Sequence, residues 1–158
     1  METVNDRFEG LVRDRFQFLE TDYNFHICET IKDNYGCFIM YKGSVLAIRV
    51  SYEIYDAGIY ANFYKLKNGN IPKYPVFFNP AEEFLIFDLN NLLLLRCGKI
   101  ITQDFKRLHE AAYQEYILKQ YADSIKKYAL DILNGDFSVL PQLKEIVVRR
   151  AKELEHEQ

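Results

Sequence analysis

Three histidines and three cysteines are the side chains of this sequence best suited to chemistry, and their spacing decides how far that goes. His109-Glu110-Ala111-Ala112-Tyr113 begins like the H-E-x-x-H zinc helix, in which two imidazoles one turn apart hold the metal. Tyr113 stands where the second ligand belongs, and one neutral imidazole does not hold a catalytic zinc. His26 and Cys28 are two residues apart in a stretch that reads as a strand, which puts both on one face. A Cys–His couple needs an orienting group and an oxyanion site to act as a nucleophile, and no motif offers either. Cys28, Cys37 and Cys97 are widely spaced without a C-x-x-C pair, so buried free thiols are expected.

Arg150 and His156 stand at a spacing used by helical ribonucleases of the higher-eukaryote-and-prokaryote-nucleotide-binding type. Those proteins are all-helical and usually carry a polar residue after the Arg, where this chain has Ala151. A solvated helix end is the expectation here. The acid pair Glu82-Glu83 follows Asn79-Pro80 and reads as first-turn acids at a helix N-terminus. The acids of Asp131–Asp136 flank a helix exit at Gly135. Glycine-rich phosphate loops, G-x-S-x-G elbows and D-x-D-x-D calcium loops do not occur. No catalytic residue, metal site or cofactor is therefore expected, and weight moves from enzyme to interaction protein.

The elements carrying these residues follow from periodicity. Val4, Phe8, Leu11, Val12 and Leu19 recur at helical spacing, predicting a helix over 4–20 with Thr3 or Asn5 as N-cap. Residues 24–32, 37–42, 44–55 and 59–67 read as four strands rich in Ile, Val, Tyr and Phe, separated by breaks short enough for an antiparallel meander. In the third strand Leu46, Ile48, Val50, Tyr52 and Ile54 alternate with Val45, Ala47, Arg49, Ser51 and Glu53. The first set faces helices and the second is at least half wet. Tyr60, Asn62 and Tyr64 join the wet side by the same polarity argument.

Asn68–Pro75 is expected to be a loop. A helix is expected from the Asn79-Pro80 start to about Arg96, either continuous or restarting at Asp88, and stopped by Gly98. A long helix follows over roughly 103–134, with Ala111, Leu118, Ala122, Ile125, Ala129, Ile132 and Leu133 on one stripe. A last helix begins near Ser138 and buries Leu140, Leu143, Val147, Ala151 and Leu154. The fold class is thus α+β in one domain over 1–158: an N-terminal helix, a four-stranded antiparallel meander, then three C-terminal helices packed on one face.

Composition narrows the function further. The chain has 158 residues and a formal charge of −3, and neither half is basic: 11 basic against 13 acidic side chains over 1–101, 9 against 10 over 102–158. Nucleic acid is disfavoured as a partner. The densest apolar run, Phe84–Leu95, is broken by Asp88, Asn90 and Asn91, so no membrane span is expected. The N-terminal residues lack a signal-peptide pattern, and cytoplasmic residence is the expectation. Twelve Tyr and twelve Phe without Trp favour a contact surface as well as a core.

The stretch from Tyr121-Ala122-Asp123 to Ile132-Leu133-Asn134-Gly135-Asp136-Phe137-Ser138-Val139-Leu140, following an aromatic-rich sheet, resembles the small orphan proteins of bacterial polymorphic-toxin loci, several of which are immunity proteins. The resemblance implies a cytosolic protein that binds and blocks one toxin, with no catalytic residues to carry over. Both lines lead to a non-enzymatic protein-binding domain. Its contact residues are expected on the wet sheet face, Arg49, Ser51, Glu53, Tyr60, Asn62 and Tyr64, or along the Tyr113 and Tyr116 edge of the long helix, since interfaces favour Tyr and Arg. The alternative is a small-ligand-binding or enzymatic domain with a pocket between sheet and helices. Homodimerisation is compatible with either.

Overall fold

A computed structural model describes residues 1–75 and 78–157. It is an α+β protein built on an antiparallel sheet of five strands in the order β1-β2-β3-β4-β5. The strands are β1 (His26–Asp33), β2 (Gly36–Lys42), β3 (Leu46–Glu53), β4 (Gly58–Lys65) and β5 (Ile86–Asp88). The first four form the expected meander. The fifth is a correction to the sequence reading, which continued a helix through these residues.

The N-terminal helix divides in two. The first part, α1 (Val4–Arg15), starts at a capping box in which the Thr3 side chain accepts from the Asp6 backbone N–H and the Asp6 carboxylate accepts from Thr3 N–H. At Phe16 the backbone leaves helical geometry, and α2 (Gln17–Tyr23) carries on to a left-handed Asn24. Phe8, Val12, Phe16 and Leu19 are buried across both parts, so one apolar stripe spans the break.

Asn79-Pro80 starts no helix. The Asn79 side chain instead accepts from the Ala81 N–H in a local turn, and Glu83 approaches Lys67 at 3.6 Å. Helix α3 (Leu89–Cys97) begins at the restart position, with the Asp88 carboxylate capping Asn91 N–H at 2.7 Å, and ends on a left-handed Gly98.

The expected long helix is three pieces. Asp104 caps a single 3-10 turn over Phe105–Arg107, α4 (Ala111–Tyr128) supplies the main rod, and α5 (Leu130–Leu133) resumes after a non-helical Ala129. Arg96 fixes that break: its guanidinium donates to the Tyr128 carbonyl and makes two hydrogen bonds to Asp131. The apolar stripe ignores these interruptions, because Leu118, Ala122, Ile125, Ala129, Ile132 and Leu133 are all buried. Gly135 has the expected positive φ, +86°, and a Cβ there would meet Val45 at 3.3 Å. Helix α6 (Leu140–His156) carries Pro141 in its first turn. Leu140, Leu143 and Ile146 are its buried residues; of the others expected inside, Val147 and Ala151 are half-buried and Leu154 is exposed.

One hydrophobic cluster joins the sheet to the helices, with Phe8, Phe16, Ile39, Ile48, Val50, Ile59, Phe63, Leu92, Ile117 and Ile125 at its centre. Phe63 and Phe87 stack in it across β4 and β5, with ring centroids 5.1 Å apart.

Candidate functional site

The other face of the sheet is ordered by register. Met40, Arg49, Asn62 and Asp88 form one cross-strand row; Phe38, Ser51 and Tyr60 form the next; Gly36, Glu53 and Gly58 close the end. On the opposite side of the Arg49 row lie Ala47, Tyr64 and Ile86. This end is apolar and covered: Met40, Ala47 and Tyr64 pack with Leu66, Ile71 and Ile86 in a second, smaller core. The sequence expectation of a wet face is therefore corrected in part. Tyr64, Asn62 and Ser51 are buried; the chain after β4 folds back over the Tyr64 end of the sheet instead of leaving it, with Leu66 and Ile71 packed against Met40, Ala47 and Tyr64.

Arg49 marks the boundary between the two ends. Its guanidinium lies 5.7 Å from the ring centre of Phe38, 6.0 Å from Tyr64 and 5.7 Å from Tyr74. Glu53, two pleat repeats further on the same face, approaches it at 3.9 Å. Beyond Arg49 the face stays open as two adjoining hollows of about 290 and 470 Å3, which share Arg49, Glu53 and Asp56. Tyr60, Asn62, Tyr74 and Asp88 line the larger; Asp33, Tyr35, Phe38, Ser51 and Tyr55 line the smaller.

Two hairpin turns build the outer rim. In the first, Asp33 accepts from the Tyr35 N–H at 2.8 Å, and Gly36 follows because a Cβ there would lie 1.9 Å from the Tyr52 carbonyl oxygen. Asn5 on α1 holds this turn from behind by donating to the carbonyls of Asp33 and Gly36. The second turn follows β3, where the Tyr60 hydroxyl donates to the Asp56 carbonyl at 2.9 Å. Ile54 N–H donates to the Tyr35 carbonyl and ties the turns together. Tyr35 and Tyr55 then stand side by side, ring centres 5.4 Å apart, with 68% and 76% of each residue exposed.

The electrostatics of the cleft are strained towards neutrality. Burial raises the Glu53 carboxyl above its ordinary value; Asp56 adds to this and Arg49 opposes it. Burial raises Asp88 as well, against the hydrogen bond from Asn91 and the charge of Arg150. Ser51 is 2% exposed and its hydroxyl has no partner.

The remaining sequence candidates are dispersed. Tyr113, expected at an exposed edge, is 7% exposed; its hydroxyl accepts from Asp104 N–H, and Arg107 covers its ring at 4.7 Å. Tyr116 beside it is exposed. The helix turns Tyr113 inward because the 3-10 segment folds over it and supplies a polar partner for the hydroxyl. His109 precedes α4, and its carbonyl accepts from Arg7. Arg150 is engaged by Asn91, away from His156 at the exposed helix end.

Cys28 and Cys97 are exposed, against the expectation of three buried thiols, and only Cys37 is inside, pushed up to about 12 by burial. Cys28 falls at an interruption of the β1–β2 register between Ile27 and Glu29, so simple alternation with His26 does not apply. Although the residue is exposed, partial desolvation of its thiol raises it, which disfavours the thiolate.

Sequence reasoning missed Asp56, Tyr35, Tyr55, Tyr74 and Asp88. The signal for Tyr35 and Tyr55 was present: both flank turn residues, where an aromatic ring has no core to enter. Asp88 lay hidden in an apolar run that reads equally as helix or strand. Among the described residues no group of three or more His, Cys, Asp or Glu is placed to hold a metal ion, and no helix is long and apolar enough to cross a membrane. The chain matches no family model, no curated protein and no solved structure.

Proposed function

We propose that this chain is a non-enzymatic protein-binding domain that works through the open end of the sheet face, and that its partner is a bacterial toxin which it neutralises in the cytoplasm. The observation that carries the reading is the contrast between the two faces. The helix side is a closed core, whereas the other side offers a polar cleft rimmed by two exposed tyrosines. Tyrosine brings a large contact area with little rotamer entropy to lose, and it is enriched among the residues that dominate interface energies. Five of the eight expected contact residues, Arg49, Ser51, Glu53, Tyr60 and Asn62, line this cleft. The toxin as partner rests on the resemblance of the 121–140 segment to proteins of toxin loci.

The test is growth rescue against toxins encoded beside the gene, with Tyr35→Ala/Tyr55→Ala as the variant. Both side chains are exposed, so the fold should stay within ~0.5 kcal/mol of the parent. Loss of two interface anchors should weaken binding by about 30-fold or more and abolish rescue. If the tyrosine pair still rescues while His26→Ala, His109→Ala or His156→Ala does not, the interaction reading fails and an enzymatic one replaces it.

A further inference from the structure

The cleft holds more negative charge than its own residues neutralise. Asp33, Glu53, Asp56 and Asp88 line it against the guanidinium of Arg49, with the charge of Arg150 also reaching Asp88. Arg49 is enclosed by three rings, and its 3.9 Å approach to Glu53 is the one ion pair that any of the four acids makes among the described residues. An independent observation points the same way. The Ser51 hydroxyl, on the cleft floor between the Arg49 and Glu53 rows, is buried without a hydrogen-bond partner. Leaving such a group unpaired costs about 1–3 kcal/mol, which a hydrogen-bonding ligand would recover; Arg49 Nε, in the same cleft, is likewise buried without a partner.

The shape selects among cations. The carboxylates do not converge as ligands of a metal ion, and the hollows are large enough for an organic group. Their walls include Tyr35, Tyr55, Tyr60 and Tyr74, which attract a cation through the ring face. A guanidinium fits this combination better than an ammonium. It is planar, stacks on rings, is weakly hydrated, and presents several N–H donors to carboxylates in a fixed fork. Tyr35 and Tyr55 project past the cleft, and such a rim suits a ligand that continues as a protein surface rather than ending as a small molecule.

From these features we infer that the cleft receives an arginine side chain from a basic loop of the protein partner, its guanidinium held by Glu53 and Asp56 and donating to Ser51 Oγ. The inference rests on the protein-binding reading and deepens it: the partner's contact surface is basic. Such a pairing also speeds encounter and makes binding sensitive to salt.

The test is a 1H–15N NMR titration of the whole chain with N-acetyl-arginine-N-methylamide, using the citrulline analogue as the uncharged isostere. Saturable shifts at the Ser51, Glu53, Asp56 and Tyr60 amides are expected with the arginine compound. They should weaken at least fivefold with citrulline, and likewise in Glu53→Gln/Asp56→Asn. Asp56→Asn alone, at an exposed turn, serves if the double variant does not fold. An equal response to citrulline, shifts scattered away from the cleft, or no response overturns the inference. If the arginine compound is ignored yet Tyr35→Ala/Tyr55→Ala still abolishes rescue, the arginine socket falls and the binding reading stands. If the arginine compound binds but the tyrosine pair leaves rescue intact, the protein surface is removed and the assigned partner falls with it.

Discussion

Replacing Gln103 by Ala should be among the most costly polar substitutions in this protein, because one side chain completes the sheet where β5 stops. Strand β5 pairs with β4 only at Asn62, Phe63 and Tyr64, so the outer edge of Ile59 has no strand beside it. Gln103 takes that place. Its Oε1 accepts from Ile59 N–H at 2.8 Å and its Nε2 donates to the Ile59 carbonyl at 2.7 Å, as a neighbouring strand would. The Tyr121 hydroxyl also donates to that carbonyl, at 2.6 Å, and accepts from Gln103 Nε2. Truncation to Ala leaves the Ile59 N–H unpaired in the interior, costing about 1–3 kcal/mol, and loses further hydrogen bonds of about 1 kcal/mol each. The Ile59 carbonyl keeps Tyr121. A net loss of about 3 kcal/mol follows, lowering Tm by roughly 6–12 °C for a chain of this size.

Urea denaturation of Gln103→Ala, alongside Tyr121→Phe, measures this directly. Tyr121→Phe removes one donor from a carbonyl that Gln103 still serves, so about 1 kcal/mol is expected. The double variant should not be additive: it leaves the Ile59 carbonyl bare as well, while the Gln103–Tyr121 bond is already lost in either single variant. Hydrogen exchange supplies a local readout: the Ile59 amide should exchange faster in Gln103→Ala at matched global stability. A loss below ~0.5 kcal/mol with an unchanged slope, or a Tyr121→Phe loss exceeding that of Gln103→Ala, would refute the strand-substitute role.

Three further outcomes are expected. Tyr41→Phe should raise the urea midpoint, because the Tyr41 hydroxyl is buried in the core with no partner; a loss of ~1 kcal/mol or more would mean the hydroxyl is in fact satisfied. Gly135→Val should destabilise by ~1 kcal/mol or more, from the positive φ and the contact with Val45, and an unchanged midpoint would count against the cap. Glu53→Gln should stabilise at pH 7. A carboxyl raised by folding binds its proton more readily in the native state, so its contribution is full below its ordinary value of 4.5 and is lost as pH rises above it. The gain from Glu53→Gln should therefore shrink as pH falls to 4; a gain constant from pH 4 to 8 would contradict this.

The elements that could be read from sequence are those whose periodicity is long. The four-strand meander carries regular alternation over 24–67, and the short turns between strands leave only neighbours to pair. What failed was continuity. Phe16 and Ala129 interrupt helices without any breaker residue, because the apolar stripe continues through both positions and burial outweighs the lost helical geometry. At Ala129 the visible cause is a side chain from elsewhere, Arg96, whose hold on the Tyr128 carbonyl no local pattern encodes. The three-residue β5 is too short to show a period, and its register with β4 is tertiary information.

The same distinction explains the cleft. Strand alternation placed Arg49, Ser51, Glu53, Tyr60, Asn62 and Tyr64 on one face, and the register brings them together there. Alternation assigns a face; it does not say what lies over that face. The return of Leu66 and Ile71 over Tyr64 and Met40, next to Ile86 in the Tyr64 row, covers one end of the rows and leaves the Glu53 end open. An apolar cover stops where the sheet turns polar: Arg49 and Asn62 already present groups that greasy side chains cannot satisfy. Tyr74 closes the boundary because its ring can lie on the guanidinium of Arg49. The open end thus follows from the row composition of the sheet itself, and a substitution that makes the Ser51 and Glu53 rows apolar should let the cover extend and shut the cleft.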